Sequence, residues 1–163
     1  MEQEESADTQ LSEILSLHAY LTDKKLLGSL KEFFNREDGM PNTRLLVEVI
    51  KCLGSLGDYL GAYAVIEQVK RRGLLSYLDI CTPQVFSALI QTTWDSTHDP
   101  YRLCRILEEM RENGICPDDD TEKLVQKAIK YLKDRHLTTF CDQVSDLLLQ
   151  LKSDSSILDY KSI

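Results

Sequence analysis

The chain has 163 residues, and 19 Lys and Arg against 27 Asp and Glu leave a formal net charge of −8. That length suits one compact domain burying roughly 70% of its unfolded surface. The acidic balance argues against a general polyanion binder, since nucleic-acid affinity comes mostly from Lys and Arg on phosphates, and no apolar run approaches the ~20 residues a membrane span needs.

Residues 1–10, MEQEESADTQ, read as a disordered acidic tail. They have neither the basic start and apolar core of a secretory signal nor the Arg-rich, acid-poor make-up of a mitochondrial presequence. Residues 11–152 read as one helical-repeat domain. Leu11, Ile14 and Leu15, followed by Leu26, Leu27, Leu30, Phe33 and Phe34, predict a first helical hairpin broken near Thr22-Asp23, where either residue can cap the second helix. Residues 36–42 form a loop. A second hairpin runs from about Asn42 to Arg72, with Asn42 or Thr43 as its cap. Leu46, Val49, Ile50 and Leu53 make the stripe of its first helix, and Gly57 ends that helix. Asp58 opens the second, with Ala62, Val65, Ile66 and Val69 as its stripe and Gly73 as its end. Lys70-Arg71-Arg72 is the densest basic run. In a last helical turn such cations favour the dipole, and the functional alternative is phosphate contact.

Residues 73–83 are the least regular stretch. Leu74, Leu75, Tyr77, Leu78 and Ile80 are too apolar for a solvated loop, so this insertion is expected to fold back on its own hairpin or to hold a protein partner. A third hairpin follows. Phe86, Leu89, Ile90 and Thr93 line its first helix and Leu103, Ile106, Leu107 and Met110 its second, across a break at 95–100. Pro83 and Pro100 suit first-turn positions, and Asn113-Gly114 with Pro117 ends the second helix. A fourth hairpin has Val125, Ala128, Ile129 and Leu132, turns at His136, and continues with Val144, Leu147, Leu148 and Leu151. Residues 153–163 read as a polar tail. No stretch alternates with period two. The fold class is therefore all-α, eight helices in about four antiparallel hairpins.

The apolar positions of the second and third hairpins correspond one for one, although Gly39 to Gly73 spans 34 residues and Gly73 to Gly114 spans 41. The excess falls in connections, which is where a stacked-repeat architecture tolerates insertions. Together with Glu108-Glu109-Met110-Arg111-Glu112-Asn113-Gly114-Ile115-Cys116-Pro117-Asp118, this order resembles the pentatricopeptide repeat. In that family the second helix ends in Met, a Lys/Glu-rich turn, Gly, an aliphatic residue, a variable residue and Pro-Asp. The match weakens at the second hairpin, which has Val69 in place of Met and no Pro-Asp after Gly73. Gly39-Met40-Pro41-Asn42 is similar to the end of an earlier repeat, and residues 121–151 to a degenerate later one. The tetratricopeptide repeat fits less well, since its Trp-Leu-Gly-Tyr arrangement is absent. The resemblance implies an alpha-alpha superhelix, a right-handed solenoid.

No enzyme, cofactor or small-molecule substrate is expected. The chain has no Gly-rich phosphate loop, no nucleophile motif and no His-Glu-x-x-His, and His18, His98 and His136 read as residues of turns and helix ends. Cys52, Cys81, Cys104, Cys116 and Cys141 are odd in number and irregular in spacing, which argues against a disulfide framework and for a reducing compartment. Cys104 and Cys141 fall on inner helix faces, where a thiol acts as a small hydrophobe. A zinc site from His98, Cys104 and Cys116 lacks the usual paired spacing. Asp118-Asp119-Asp120 is explained by capping of the next helix rather than by a cation.

Two functions follow. In the first, the module is a protein-binding scaffold within an RNA-related protein or complex, and its partner sits on the concave face or on the 73–83 insertion. In the second, it binds single-stranded RNA in organellar or cytoplasmic RNA processing or translation. The resemblance implies that one base is read by Ser87 together with Asp118, a pair that in the family looks like a purine, guanine, reader. The equivalent of Ser87 in the second hairpin is Val47, which cannot hydrogen-bond, and in the fourth it is Gln126. Lys70, Arg71 and Arg72 would then contact phosphates. The compartment is expected to be cytoplasmic if this is the whole chain and mitochondrial if it belongs to a longer precursor.

Overall fold

The computed structural model describes residues 43–161, with side chains through 156. The expected first hairpin, His18, the acidic tail and the Asn42 cap lie outside the described residues. Within them the chain forms seven helices and no strand. These are α1 (Thr43–Ser55), α2 (Tyr59–Arg71), α3 (Leu74–Ile80), α4 (Pro83–Thr97), α5 (Pro100–Glu112), α6 (Asp119–Asp134) and α7 (Thr138–Lys161).

Each hairpin forms because neither of its helices can cover its own apolar stripe. In α1 the stripe is Leu46, Val49, Ile50 and Leu53, and in α4 it is Phe86, Leu89, Ile90 and Thr93; all are buried. The second helices bury Ala62, Val65, Ile66 and Val69 in α2, and Leu103, Ile106, Leu107 and Met110 in α5. Every apolar position matched between the second and third expected hairpins is thus in the core, where a large aliphatic side chain contributes roughly 1.5–3 kcal/mol of transfer free energy. Helices α1/α2, α4/α5 and α6/α7 pair as hairpins. The first helices stack α1 on α4 on α6, and α5 packs on α7.

The turns repeat as well. At the end of α1 the Asp58 amide donates to the Leu53 carbonyl and the Gly57 amide to that of Gly54. At the end of α6 the Leu137 amide reaches Leu132 and the His136 amide Lys133, and Ile115 and Gly114 do the same at the end of α5. This is the Schellman arrangement, which needs a left-handed residue just past the helix. Gly57 (φ 71°) and Gly114 (φ 66°) adopt that conformation freely, whereas His136 (φ 58°) adopts it at a cost. His136→Gly is therefore expected to raise stability by about 0.5–1 kcal/mol, the relief being partly offset by the freer unfolded chain. A thermal-denaturation midpoint no higher than that of the wild type would refute this. The same change at His98 (φ 47°) is expected to bring no gain. Its ring packs 4.8 Å from Tyr131 and 5.3 Å from Trp94, clasping α4 to α6.

Two expectations need correction. Residues 73–83 are not an irregular connection, because residues 74–80 form helix α3, with only Tyr77 and Ile80 of the five singled-out residues buried. Nor do residues 153–163 begin a polar tail, since α7 continues to Lys161. No Gly or Pro interrupts the chain after Leu151. The Ser155 hydroxyl donates to the Leu151 carbonyl, and Lys152 pairs with Glu122 of α6 at 2.7 Å, holding that part of α7 in register.

Candidate functional site

The second helices do not pack uniformly. Helix α5 lies directly on α7, but between α2 and α5 the 73–80 insertion intervenes and leaves an open groove of about 550 Å³. Gly73 (φ 116°) turns the chain out of α2 into α3. At the far end of α3, the Thr43 hydroxyl of α1 donates to the Ile80 carbonyl at 2.9 Å. Residues Tyr77 and Ile80, one turn apart, face inward. Leu74, 63% exposed, lines the groove, and Leu75 and Leu78 are 84% and 42% exposed on the remaining surface of α3.

Polar groups form the floor. The Tyr77 hydroxyl donates to Glu109 Oε1 of α5 at 2.7 Å. Lys70 of α2 pairs with the same carboxylate oxygen and with Glu67 Oε1 at 2.9 Å, and its ammonium lies 5.5 Å from the Tyr77 ring centroid. Burial works against the Lys70 charge, but the hydrogen bonds it donates to Glu109 and Glu67, and their negative charges, outweigh it and hold the ammonium pKa above its usual value. Burial, then the hydrogen bond and charge of Glu109, push the Tyr77 phenol up strongly, so it remains a neutral donor. Beneath it, burial and then the Glu109 charge push the Cys81 thiol up to about 12, which keeps this thiol unreactive at neutral pH. Arg105, Glu108 and Glu112 of α5 line the outer wall.

Tyr77→Phe keeps the ring and removes the bond to Glu109. It is expected to cost about 1–2 kcal/mol, toward the low end for a hydrogen bond to a charged group because Lys70 still pairs with the carboxylate. An unchanged urea midpoint would mean that the hydroxyl contributes nothing to seating α3.

The structure draws some of the sequence-selected residues together and scatters others. Lys70, Leu74 and Tyr77 line the one groove. Arg71 is exposed in the last turn of α2, and Arg72 caps that helix. Ser87 lies on α4 and is 9% exposed. Asp118 caps α6, its Oδ1 accepting from the Thr121 amide at 2.8 Å and the Thr121 hydroxyl at 2.7 Å. Gln126 is exposed on α6, and Val47 is partly buried on α1. Among the described residues all five cysteines are free, and no three His, Cys, Asp or Glu side chains converge to hold a metal ion. No described helix is long and apolar enough to cross a membrane.

Sequence reasoning overlooked Glu109 and Glu67 as groove residues, since nothing local marks which carboxylate meets Lys70. It also overlooked the stack of Trp94, His98 and Tyr131, capped by Arg135 at 3.5 Å from the Tyr131 ring centroid. The i, i+4 spacing of Trp94 and His98 on one helix was the available signal.

A model of the Mtf2 family matches residues 36–157, well over half of the chain. The chain belongs to the Mtf2 family. This family is related to mitochondrial RNA processing, which agrees with the coarse expectation of an RNA-related helical module. The Mtf2 match takes in helices α1 to α6, most of α7 and every residue of the groove. No curated protein and no solved structure matches the chain significantly.

Proposed function

We propose that this Mtf2-family chain is a non-catalytic helical-repeat module of pentatricopeptide type, holding a protein partner inside an RNA-handling complex. The observation that carries this reading is the row of exposed leucines on α3 beside an open groove. Isolated surface leucines are ordinary, but three on one short helix, set in a gap between two longer helices, make a contiguous apolar patch of the kind that partners cover. The family's relation to mitochondrial RNA processing supports the RNA-related context and a mitochondrial site of action.

Direct RNA recognition is less well supported by the positions of its expected readers. Ser87 is nearly covered, and the Asp118 oxygen described above is already used for capping. A photoreactive amino acid placed at position 75 of the full chain in its own cells separates the two readings, with position 126 as the comparison. A discrete protein adduct is expected at 75 and is expected to disappear with Leu78→Asp. RNA adducts at 126 with no protein adduct at 75 would replace the scaffold reading with RNA binding.

A further inference from the structure

We infer that the groove between α2, α3 and α5 accepts a basic amphipathic helix of the partner protein, an inference that rests on the docking function proposed above. Its apolar face would lie on Leu74, Leu75 and Leu78, and its Lys or Arg residues would meet Glu108 and Glu112.

Shape comes first. Helices α2 and α5 have 13 residues each, whereas α3 has 7, so the insertion can cover only part of the gap it props open. On its other side α5 is covered by a helix, α7. An occupant of the same kind on the groove side continues that packing, since helices pack with axes about 8–10 Å apart.

Charge selects the sign. Four glutamates, Glu67, Glu108, Glu109 and Glu112, line the groove against two cations, Lys70 and Arg105, a balance of 2 − 4 = −2. A nucleic-acid backbone would be repelled. A small-molecule site is a poor match too, because such sites are enclosed and mostly apolar.

The floor and the wall differ in a way that fits burial under a partner. Lys70 pairs with both Glu67 and Glu109, and the Tyr77 hydroxyl donates to Glu109, so every group of the floor has a partner while a net charge of 1 − 2 = −1 remains for a cationic occupant to meet. Glu108 and Glu112 are exposed one helical turn apart on α5 and have no ion pair among the described residues. They are placed to take cations from outside, and rim charges of this kind set partner choice and salt dependence.

The test is fluorescence anisotropy of the full chain with three synthetic helical peptides about five turns long. One has an apolar stripe and a lysine-rich polar face, one has the same stripe and a glutamate-rich face, and one has the lysine-rich composition with the stripe scrambled. The first is expected to bind about tenfold or more tightly than either of the others, and to weaken as salt is raised. Glu108→Lys with Glu112→Lys is expected to reverse the preference between the first two. Leu75→Asp with Leu78→Asp is expected to abolish binding. All four side chains are exposed, so helix content by circular dichroism should match that of the wild type.

Equal binding of the lysine- and glutamate-rich peptides would overturn the inference, as would binding indifferent to the four substitutions. A dimer in sedimentation that dissociates with Leu75→Asp and Leu78→Asp would also overturn it, because a second copy would then fill the groove. Failure here alongside a protein adduct at position 75 removes the basic helix and leaves the docking function standing. Absence of that adduct removes the docking function itself.

Discussion

Phe86→Ala is expected to lower the stability of the folded chain by about 3–5 kcal/mol, the usual range for deleting a buried aromatic ring. Phe86 is 0% exposed and sits on α4, which packs against α1, α2, α5 and α6. A ring removed there leaves a void bordered by both layers. The core it belongs to is close-packed, with Leu46, Leu89 and Leu107 of α1, α4 and α5 also almost fully buried, and has little room to collapse into that void. Since domains are stable by only about 5–15 kcal/mol, the loss is a large fraction of the total. Urea denaturation is the measurement, with the midpoint falling and the slope unchanged if unfolding stays two-state. A loss below about 1 kcal/mol would mean that α4 is not the centre of the packing.

The second large effect is expected at Gly54, where α1 crosses α4. A Cβ built there would lie 2.5 Å from the Thr92 hydroxyl oxygen and 3.3 Å from the Thr92 Cβ and Cγ2. Thr92 is buried, and its hydroxyl donates to the Ile50 carbonyl at 3.4 Å. It cannot simply swing into solvent. Gly54→Val is expected to cost about 2–3 kcal/mol through overpacking. Gly54→Ala is expected to cost less, because alanine regains up to about 1 kcal/mol of helix propensity. The diagnostic is the double-mutant cycle with Thr92→Ala. If the two side chains collide, the Gly54→Val penalty shrinks in the Thr92→Ala background, and strict additivity would refute the close approach.

How much of this was legible in the sequence depended on the range of the interaction. The stripes of α1, α2, α4 and α5 were legible, because a helix writes its buried face at i, i+3 and i+4, and Gly57 and Gly114 marked helix ends by their left-handed conformation. The 73–80 insertion was legible only in part. Its apolar content signalled packing, yet all five marked residues carried the same signal, and only the docking of α3 on α2 sorted Tyr77 and Ile80 inward from Leu74, Leu75 and Leu78 outward. The end of α7 was misread because polarity looked like a tail. A partner on a neighbouring helix, Glu122 with Lys152, is invisible to a local pattern.

The groove shows the same division. Lys70 stood out as part of a basic run and was weighed as a phosphate contact, but the fold places Glu67 and Glu109 against it. Glu109 lies 39 positions from Lys70, and Thr92 lies 38 from Gly54, so neither pairing leaves a periodic trace. The sequence by itself determined an all-helical chain, most helix ends and the composition of the core, since these follow from local dihedral preference and amphipathic spacing. Tertiary structure alone decided that α3 stands between α2 and α5, that an acidic groove edged by Leu74 opens there, and which charges remain available in it. Those outcomes depend on how whole helices are placed, and placement is fixed by the packing of surfaces distant in the chain.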